Sequence, residues 1–323
     1  MKEKLIEVKS LKKYFKVPSG ELHAVDDVSF DIYKGETVGL VGESGCGKST
    51  IGRTILRLIP HTAGEVIYKG ENILAYSDEK MRTLRREMQM IFQDPYSSLD
   101  SRKTIGQIIA EPLLINKTVP KNQINEVVLD LLSKGGVSRK LYNSYPHELD
   151  GGRRQRVGII RALALNPSFI VCDEPVSSLD VSIQAQILNL LQELQRNMNL
   201  TYLFISHDLS VVRHISDRII VMYLGEIVES CNANELFKNP LHPYTKALLS
   251  AVPIAKYNQQ RQRIILKGDV PSPINPKPGC RFAPRCWKAK DICFNECPCL
   301  KEYSDGHQAR CHFVGEADDM PAT

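Results

Sequence analysis

A glycine-rich segment near the N-terminus limits the class of fold that this chain can adopt. Residues 42–49, Gly-Glu-Ser-Gly-Cys-Gly-Lys-Ser, fit the pattern G-x-x-x-x-G-K-[ST], in which backbone N–H groups cradle phosphate. The apolar run Thr37–Val41 before it predicts a short buried strand, and the residues from Lys48 to Leu58 predict a helix. A strand, a glycine loop and a helix in this order indicate an α/β domain with an anion site at the helix N-terminus.

The side chains of this loop indicate that the anion is a magnesium-bound nucleotide. Lys48 supplies a cation for the β- and γ-phosphates, and the Ser49 hydroxyl is a ligand for Mg²⁺. A glycine-rich turn without a ligand is the alternative, but the position between a strand and a helix disfavours it. The residues of the loop predicted to bind ATP are Gly42, Glu43, Ser44, Gly45, Cys46, Gly47, Lys48, Ser49 and Thr50.

A later apolar strand ends in two acids. The run Phe169-Ile-Val-Cys precedes Asp173 and Glu174. Four buried residues followed by two carboxylates suit a site in which Asp173 binds Mg²⁺ and Glu174 polarises the attacking water. Taken alone, the two acids could also be a solvated strand end. Beside a phosphate loop, we predict that they are catalytic.

Gln93 and His207 follow two further apolar segments. Gln93, in Met-Ile-Phe-Gln-Asp-Pro, could reach the metal and the water through its amide, although a lone Gln is more often a surface residue. His207, in Phe-Ile-Ser-His-Asp, could hold transition-state oxygens of a γ-phosphate, although such a histidine is more often structural. Because of their context, we predict that Gln93 contacts Mg²⁺ and ATP and that His207 is catalytic.

The pattern of strands and helices predicts an α/β fold with a mostly parallel sheet, a helical subdomain and a small cysteine-rich C-terminal extension. Further strands are predicted at Tyr202–Ile205 and Arg218–Met222, and an amphipathic helix contains Ile183, Ile187 and Leu194. We predict an ATPase-type domain over residues 1–255, with its helical subdomain at about 94–155, and the extension over residues 256–323.

Charge and hydropathy restrict where the protein acts. The net charge of +5 is mild and does not indicate nucleic acid as a partner. No apolar run approaches the roughly 18–20 residues that span a bilayer. The first residues reach a Glu before any apolar block, which is unlike a secretory signal. We expect a cytosolic protein that contacts the membrane through a partner.

Six of the nine cysteines lie between residues 280 and 311. In a reducing cytosol such a cluster more often binds metal than forms disulfides. Cys280, Cys286, Cys293 and Cys311 could hold zinc or an iron–sulfur cluster, or remain free thiols. The long spacings weakly favour the larger cluster. The two other cysteines, Cys297 and Cys299, leave the choice of ligands open.

Together these motifs resemble the ATP-binding cassette (ABC) family, specifically the ATPase subunits of oligopeptide and dipeptide importers. The glycine loop, Gln93, a Leu-Asp-Gly-Gly turn at 149–152, the acidic strand end, a Ser-Ser-Leu-Asp turn at 177–180 and His207 occur in the family order. Longer similar segments lie at 39–50, 91–99, 180–186 and 241–249. The resemblance covers nearly the whole chain.

The resemblance implies the partners and several site residues. Two cassettes would pair head to tail around two ATP molecules and drive two transmembrane permease subunits fed by an extracellular solute-binding protein, from the cytoplasmic face of the membrane. The helical segment beside Gln93 would meet the permease. Phe15, with Tyr14 as second choice, would stack on adenine. Residues implied to contact the partner's ATP are Asp150, Gly151, Gly152 and Gln155.

The C-terminal motifs Gly279-Cys-Arg-Phe-Ala-Pro-Arg-Cys286 and Ala309-Arg-Cys-His-Phe313 are similar to the extension of oligopeptide importer ATPases. Related extensions hold a 4Fe–4S cluster on four such cysteines. The resemblance therefore implies this cluster on Cys280, Cys286, Cys293 and Cys311.

One position departs from the family pattern. The usual Leu-Ser-Gly-Gly is replaced by Leu149-Asp-Gly-Gly152. Two unit charges about 4 Å apart repel by roughly 4 kcal/mol at an effective dielectric constant near 20, so an ionised Asp150 would oppose a γ-phosphate. Asp150 could be protonated, turned aside by Arg153 or Arg154, or poor at closing that site. We expect a non-identical partner cassette, although a substitution without functional consequence is the alternative.

Two other functions remain open from the sequence. A soluble cassette ATPase of DNA repair or translation would commonly carry two cassettes in one chain and a basic stripe with interleaved aromatic residues, which this chain lacks. A catalytically idle regulatory cassette would not need Lys48, Asp173, Glu174 and His207. The transported solute, whether peptide, nickel or sugar, cannot be read from this chain.

Overall fold

The computed structural model describes residues 3–252 and 263–316, so the predicted domain boundary near residue 256 lies outside the described residues. Strands in the described part are β1 (Lys4–Val17), β2 (Gly20–Tyr33), β3 (Thr37–Val41), β4 (Ala63–Tyr68), β5 (Glu71–Asn72), β6 (Met88–Ile91), β7 (Phe169–Asp173), β8 (Thr201–Ser206), β9 (Arg218–Tyr223), β10 (Glu226–Asn232), β11 (Lys301–Ser304) and β12 (His307–Ala309). Helices in the same part are α1 (Lys48–Ile55), α2 (Asp78–Leu84), α3 (Pro95–Ser98), α4 (Ile105–Asn116), α5 (Ile124–Lys134), α6 (Gly151–Leu163), α7 (Val181–Met198), α8 (Leu209–Ile215), α9 (Ala233–Lys238), α10 (Pro243–Ser250) and α11 (Asp291–Asn295).

The strands expected from the apolar runs are present as β3, β7, β8 and β9, each within one residue of its predicted ends. The expected amphipathic helix is α7, whose residues Ile187, Leu190, Leu191 and Leu194 are buried. Helix α1 ends at Ile55, three residues before the predicted end at Leu58. Arg57 adopts a left-handed conformation with φ of 49°, which terminates a right-handed helix.

The contacts between residues divide the chain into two compact units. Unit 1 contains residues 3–5, 32–36 and 75–205, and unit 2 contains residues 6–31, 37–74 and the described residues from 206 onward. No helix within 3–252 or 263–316 is long and apolar enough to cross a lipid bilayer.

Unit 1 contains the parallel strands β6, β7 and β8, in which β7 pairs with β6 on one side and with β8 on the other. Cys172 lies opposite Ile91, and Asp173 lies opposite Ile205. All residues of β7 and β8 are buried. Because both faces of such a parallel strand are covered, the interiors of β7 and β8 are apolar without polar alternation, and their polar residues lie at the strand ends. The sheet therefore confirms the α/β fold class and brings the acidic end of β7 to its carboxyl edge.

The helices of unit 1 surround their own apolar core. Leu99, Ile109, Val128 and Leu132 pack with residues of α6 in this core. Helix α6 begins with the Gly-Gly turn and continues to Leu163, and its residues Val157 and Ile160 belong to this core.

Unit 2 contains two sheets. In the first, β1 pairs antiparallel with β4, in the order β2–β1–β4–β5. In the second, β3 runs parallel to β9, and β10 runs antiparallel to β9. Helix α1 follows the loop after β3, so the phosphate loop lies at the carboxyl end of a fully buried strand.

The described residues of the C-terminal extension, 263–316, belong to unit 2. Strand β12 pairs antiparallel with β10, and β11 pairs with β12. The His307 ring nitrogen lies 2.8 Å from a carboxylate oxygen of Glu229, and both side chains are buried. The extension therefore continues the sheet that carries β3.

Candidate functional site

Two glycines of the phosphate loop are required by close backbone contacts. A Cβ atom on Gly47, where φ is 105°, would lie 1.9 Å from the Ala24 carbonyl oxygen. A Cβ on Gly42 would lie 2.3 Å from the carbonyl oxygen of Met222. Any other residue at either position would displace the loop from β2 or β9. The glycines thus hold the loop against neighbouring strands, and Gly47 caps the N-terminus of α1.

The Lys48 side chain is folded onto the loop. Its ammonium group donates hydrogen bonds to the carbonyl oxygens of Gly42 and Glu43, each at 2.9 Å, and lies 3.8 Å from the sulfur of Cys46. Lys48 and Cys46 are buried, whereas Ser44 and Gly45 are exposed. This arrangement holds a cation beside backbone N–H groups at a helix N-terminus, which is the chemistry that binds phosphate.

The two aromatic candidates for adenine stacking face different partners. The Tyr14 ring stacks on His23 with centroids 3.9 Å apart, and its hydroxyl donates to Asp26. The Phe15 ring is partly exposed and has the Lys13 ammonium 4.5 Å from its centroid. Burial and the Asp26 carboxylate raise the pKa of Tyr14. One face of Tyr14 is therefore already covered by a ring, and Phe15 as the stacking residue stays a prediction.

Gln93, Asp173 and Glu174 lie in unit 1, where the structure brings Gln93 and Glu174 together. The Gln93 amide donates to the Glu174 carboxylate at 3.0 Å. Asp173 is fully buried at the end of β7. Glu174 has a positive φ of 46°, and its N–H donates to the Ile205 carbonyl at 3.0 Å. Such a conformation is strained for a residue with a Cβ and often marks a functional site.

His207 is the exposed residue directly after β8, and Asp208 then caps the N-terminus of α8. It belongs to unit 2, as does the phosphate loop. The strand thus delivers His207 to the surface at its carboxyl end, as the sequence predicts; its catalytic role stays a prediction.

Asp150 caps the helix that the Gly-Gly turn begins. Its carboxylate accepts from the Arg153 N–H at 2.8 Å and forms an ion pair with the Arg153 side chain at 3.3 Å. Arg154 instead donates to the carbonyl oxygens of Pro146 and His147. Of the two arginines considered, Arg153 is therefore the one that contacts the Asp150 carboxylate. The bond from its backbone N–H is the usual one for an N-cap residue, whose side-chain oxygen accepts from the N–H group three residues later.

Gln155, which the resemblance places against a partner's ATP, lies in the second turn of α6, and that role stays a prediction. Its side chain is only 2% exposed. Arg153 is the exposed side chain of the first turn. A Cβ on Gly152 would lie 2.7 Å from a methyl group of Ile183, so the second glycine is required by the approach of α7.

The four predicted cysteine ligands converge. Cys280, Cys286, Cys293 and Cys311 line one small cavity, and no disulfide joins the described cysteines. Burial raises the pKa of the Cys280 thiol to about 12 and that of Cys286 to about 11, and the neighbouring thiols add to both shifts. A cation is what would stabilise such buried thiolates, so the donor set fits a four-thiolate metal centre.

Two other arrangements of potential ligands lie near the cavity or the extension. Cys297 and Cys299 are exposed and do not line the cavity, and the Cys297 sulfur lies 3.9 Å from Glu226. Glu229, Cys231 and His307 form a buried group with ligand atoms within 4.8 Å of one another. The Glu229 carboxylate is already bonded by the N–H groups of Leu241 and His242 and by His307.

Sequence reasoning missed the residues that surround the phosphate loop from α10 and from the extension. Arg285 forms an ion pair with Glu43 at 2.9 Å, and the Glu43 N–H donates to the Tyr244 hydroxyl at 2.9 Å. Arg281 pairs with Asp26. These partners lie far apart in the chain, so no local pattern could reveal them.

The sequence of this chain is similar to those of known transport proteins. The ABC transporter family matches residues 25–177, and the oligopeptide/dipeptide transporter C-terminal region matches residues 228–293. The oligopeptide transport ATP-binding protein AppF of Bacillus subtilis is 52% identical over 320 residues, 96% of this chain and 97% of AppF. The dipeptide transport ATP-binding protein DppF of Haemophilus influenzae is 48% identical over 316 residues, 96% of this chain and 97% of DppF.

Solved structures show the same fold. The ATP-binding cassette MJ0796, in a dimeric post-hydrolysis state bound to ADP and Pi, has a TM-score of 0.66 at 29% identity and covers 71% of this chain and 99% of its own. The cbiO1 protein of Clostridium perfringens, part of the ABC transporter complex cbiONQ, has a TM-score of 0.66 at 26% identity, with 73% of this chain and 92% of cbiO1 covered. The chain therefore belongs to the ABC family, as a member of the oligopeptide and dipeptide transport ATP-binding proteins.

Proposed function

We propose that this chain is the ATP-binding and ATP-hydrolysing subunit of an importer for dipeptides, oligopeptides or related solutes. The observation that carries the proposal is the match of about half of all residues to transport ATP-binding proteins over 96% of the chain, with the phosphate loop and acidic strand end intact.

In this proposal, the loop residues 42–50 bind the phosphates and Lys48 neutralises their charge. Ser49, Gln93 and Asp173 would hold Mg²⁺, and Glu174 would accept a proton from the attacking water. His207 donates to the γ-phosphate oxygens as charge develops on them. The contact between Gln93 and Glu174 supports this scheme, because it orients the carboxylate that must act as a base.

The proposal requires a membrane partner, and the surface of unit 1 offers a place for one. A groove of about 860 Å³ lies beside α4 and is lined by residues that include Arg102, Glu111, Leu114 and Ile115. Leu114 and Ile115 are exposed, as are Phe92 and Tyr96 near Gln93. We propose that the permease docks here, which would place the chain at the cytoplasmic face of the membrane.

The test of the proposed function uses the purified chain, its partner cassette and the permease reconstituted in lipid vesicles. We expect Mg-ATP to promote association of the two cassettes and phosphate release to follow. Addition of the solute-binding protein with a loaded peptide should increase phosphate release and import the peptide. Absence of both nucleotide-dependent association and phosphate release would disprove the proposal.

We also propose that Cys280, Cys286, Cys293 and Cys311 hold a 4Fe–4S cluster. Their convergence on one cavity supports four-thiolate ligation. The cluster would tie together segments of the extension through iron–sulfur bonds. Zinc would suit the same donors.

The cluster proposal predicts a colour that depends on specific cysteines. Anaerobically prepared protein should contain iron and sulfide and show visible absorption. Cys293→Ser should remove most of that absorption, because Cys293 is buried in the cavity lining. Cys299→Ser, an exposed cysteine outside the lining, is the matched control and should retain it. A colourless wild-type protein containing zinc would exclude the iron–sulfur assignment.

We propose that the functional cassette dimer is a heterodimer, because Asp150 stands where the family serine would meet the partner's γ-phosphate. The ion pair with Arg153 is exposed on both sides and would only partly offset the charge of Asp150. The composite site completed by Asp150 would then be the slow one, and the site built on Glu174 of this chain the active one.

This asymmetry predicts that Asp150→Ser strengthens self-association. Two copies of this chain would place Asp150 opposite ATP at both sites. In a Glu174→Gln background, which retains ATP, sedimentation should show a weak ATP-dependent homodimer and a dimer at least about tenfold tighter after Asp150→Ser, since 1.4 kcal/mol corresponds to tenfold. Asp130→Ser, which removes an exposed acid and its ion pair with Lys134 on α5 of unit 1, is the control. Equal dimerisation with and without the Asp150→Ser change would contradict the proposal.

A further inference from the structure

Two arginines occupy the short segment between the first two cysteines of the cluster. Arg281 follows Cys280 directly, and Arg285 precedes Cys286 directly. Their side chains are only 8% and 10% exposed. Arg281 pairs with Asp26 of β2, and Arg285 pairs with Glu43 of the phosphate loop. Burying two guanidinium groups is costly unless each is paired, so these contacts hold the segment in one place.

Arg285 holds the phosphate loop. One guanidinium nitrogen lies 3.1 and 2.9 Å from the two carboxylate oxygens of Glu43. The Glu43 N–H is held by the Tyr244 hydroxyl, and the Glu43 carbonyl accepts from Lys48. Phe282, from the same segment, packs edge-on against the Tyr223 ring. A displacement of Arg285 would therefore be transmitted to the residue that supports the Lys48 ammonium.

Arg281 contacts strand β2 and the residues that connect β9 to β10. Its guanidinium donates to the Leu224 carbonyl and to Asp26, and lies 3.4 Å from Glu226. Asp26 in turn accepts from Tyr14 and contacts His23. The segment thus contacts the loop before α1, strand β2 and the turn between β9 and β10.

We infer that the Cys280–Cys286 segment couples the four-cysteine site to the ATP site, with Arg281 and Arg285 as positioning residues. The inference rests on the proposed ATP binding and cysteine ligation. Ligation at Cys280 and Cys286 fixes the backbone at both ends of the segment, and the arginines carry that position to Asp26 and Glu43. Loss of ligation frees the segment and weakens ATP binding. Because coupling between two sites is reciprocal, bound ATP must also strengthen ligation by the same factor.

The first test measures ATP affinity of the full-length protein with a fluorescent ATP analogue. Arg285→Gln should weaken binding by about fivefold or more, the lower range of measured couplings between sites. Glu43→Gln should do the same, and the double variant should be no weaker than either single one. Arg285→Lys should restore part of the affinity, because it keeps a charge for Glu43. Lys290→Gln, which removes an exposed ion pair of the same extension, is the control and should bind normally.

The second test follows metal release, which does not depend on hydrolysis. A nonhydrolysable ATP analogue should slow the loss of iron to a chelator in the wild type and have no effect in Arg285→Gln. Cys286→Ser should weaken ATP binding about as much as Arg285→Gln, and combining the two should add nothing. Normal ATP affinity in Arg285→Gln and Cys286→Ser would overturn the coupling. Failure of the wild type to bind ATP would instead count against the proposed function, and failure to hold any metal against the proposed cluster.

Discussion

Replacing Glu174 by Gln in the mixed cassette pair is expected to lower ATP turnover by about 10²–10⁴-fold, the usual contribution of a general base. Glutamine has the same shape and can still accept a hydrogen bond from Gln93, but it cannot take a proton from water. The strained backbone of Glu174 and the contact with Gln93 should therefore persist. Phosphate release measures turnover, and a fluorescent nucleotide titration should show that ATP binding is retained.

A control and a reciprocal variant make this result specific. Glu193→Gln changes the same group at an exposed position of α7 and should leave turnover unchanged. The equivalent Glu→Gln change in the partner cassette should have a much smaller effect, because its site is completed by Asp150 of this chain. Equal losses from the two variants would remove the proposed asymmetry. Turnover that survives Glu174→Gln would remove Glu174 as the base.

Gly47→Ala is expected to weaken ATP binding by about tenfold or more. The added Cβ would lie 1.9 Å from the Ala24 carbonyl oxygen, so the loop or β2 must move. Residue 47 also has φ of 105°, and holding a residue with a Cβ in such a conformation costs roughly 1–3 kcal/mol. We expect the loop to move so that the contact with Ala24 and the backbone strain are both reduced. Its N–H groups will then no longer face the phosphates, and ATP binding is weakened. The nucleotide titration measures the loss.

The variant Gly45→Ala distinguishes the effect of backbone strain on ATP binding from the effect of the steric clash. Gly45 has φ of 79°, but a Cβ there meets no atom within 4 Å. This variant carries backbone strain without the clash and should bind ATP more tightly than Gly47→Ala. Circular dichroism should show that both variants remain folded. Equal affinities of the two alanine variants would show that the contact with Ala24 does not shape the loop.

Local patterns in the sequence were sufficient for the phosphate loop, the buried strands and the acidic strand end. Strand β7 could be predicted because a parallel strand is apolar on both faces and its end is marked by Asp173 and Glu174. Helix α7 could be predicted because its buried residues recur with the helical period. The end of α1 could not, because it depends on a left-handed Arg57.

The sequence by itself therefore determined the fold class, the family and the residues at the ends of the strands, because these follow from short-range spacing. Only the tertiary structure decided which four cysteines share a cavity, that Arg153 engages Asp150, that Gln155 is buried, and that Arg285 reaches Glu43. These contacts depend on how distant segments pack within each unit. Glu43 and Arg285, for example, are separated by 242 residues in the chain. Folding alone brings such distant side chains together, and their contact leaves no periodic pattern in the sequence.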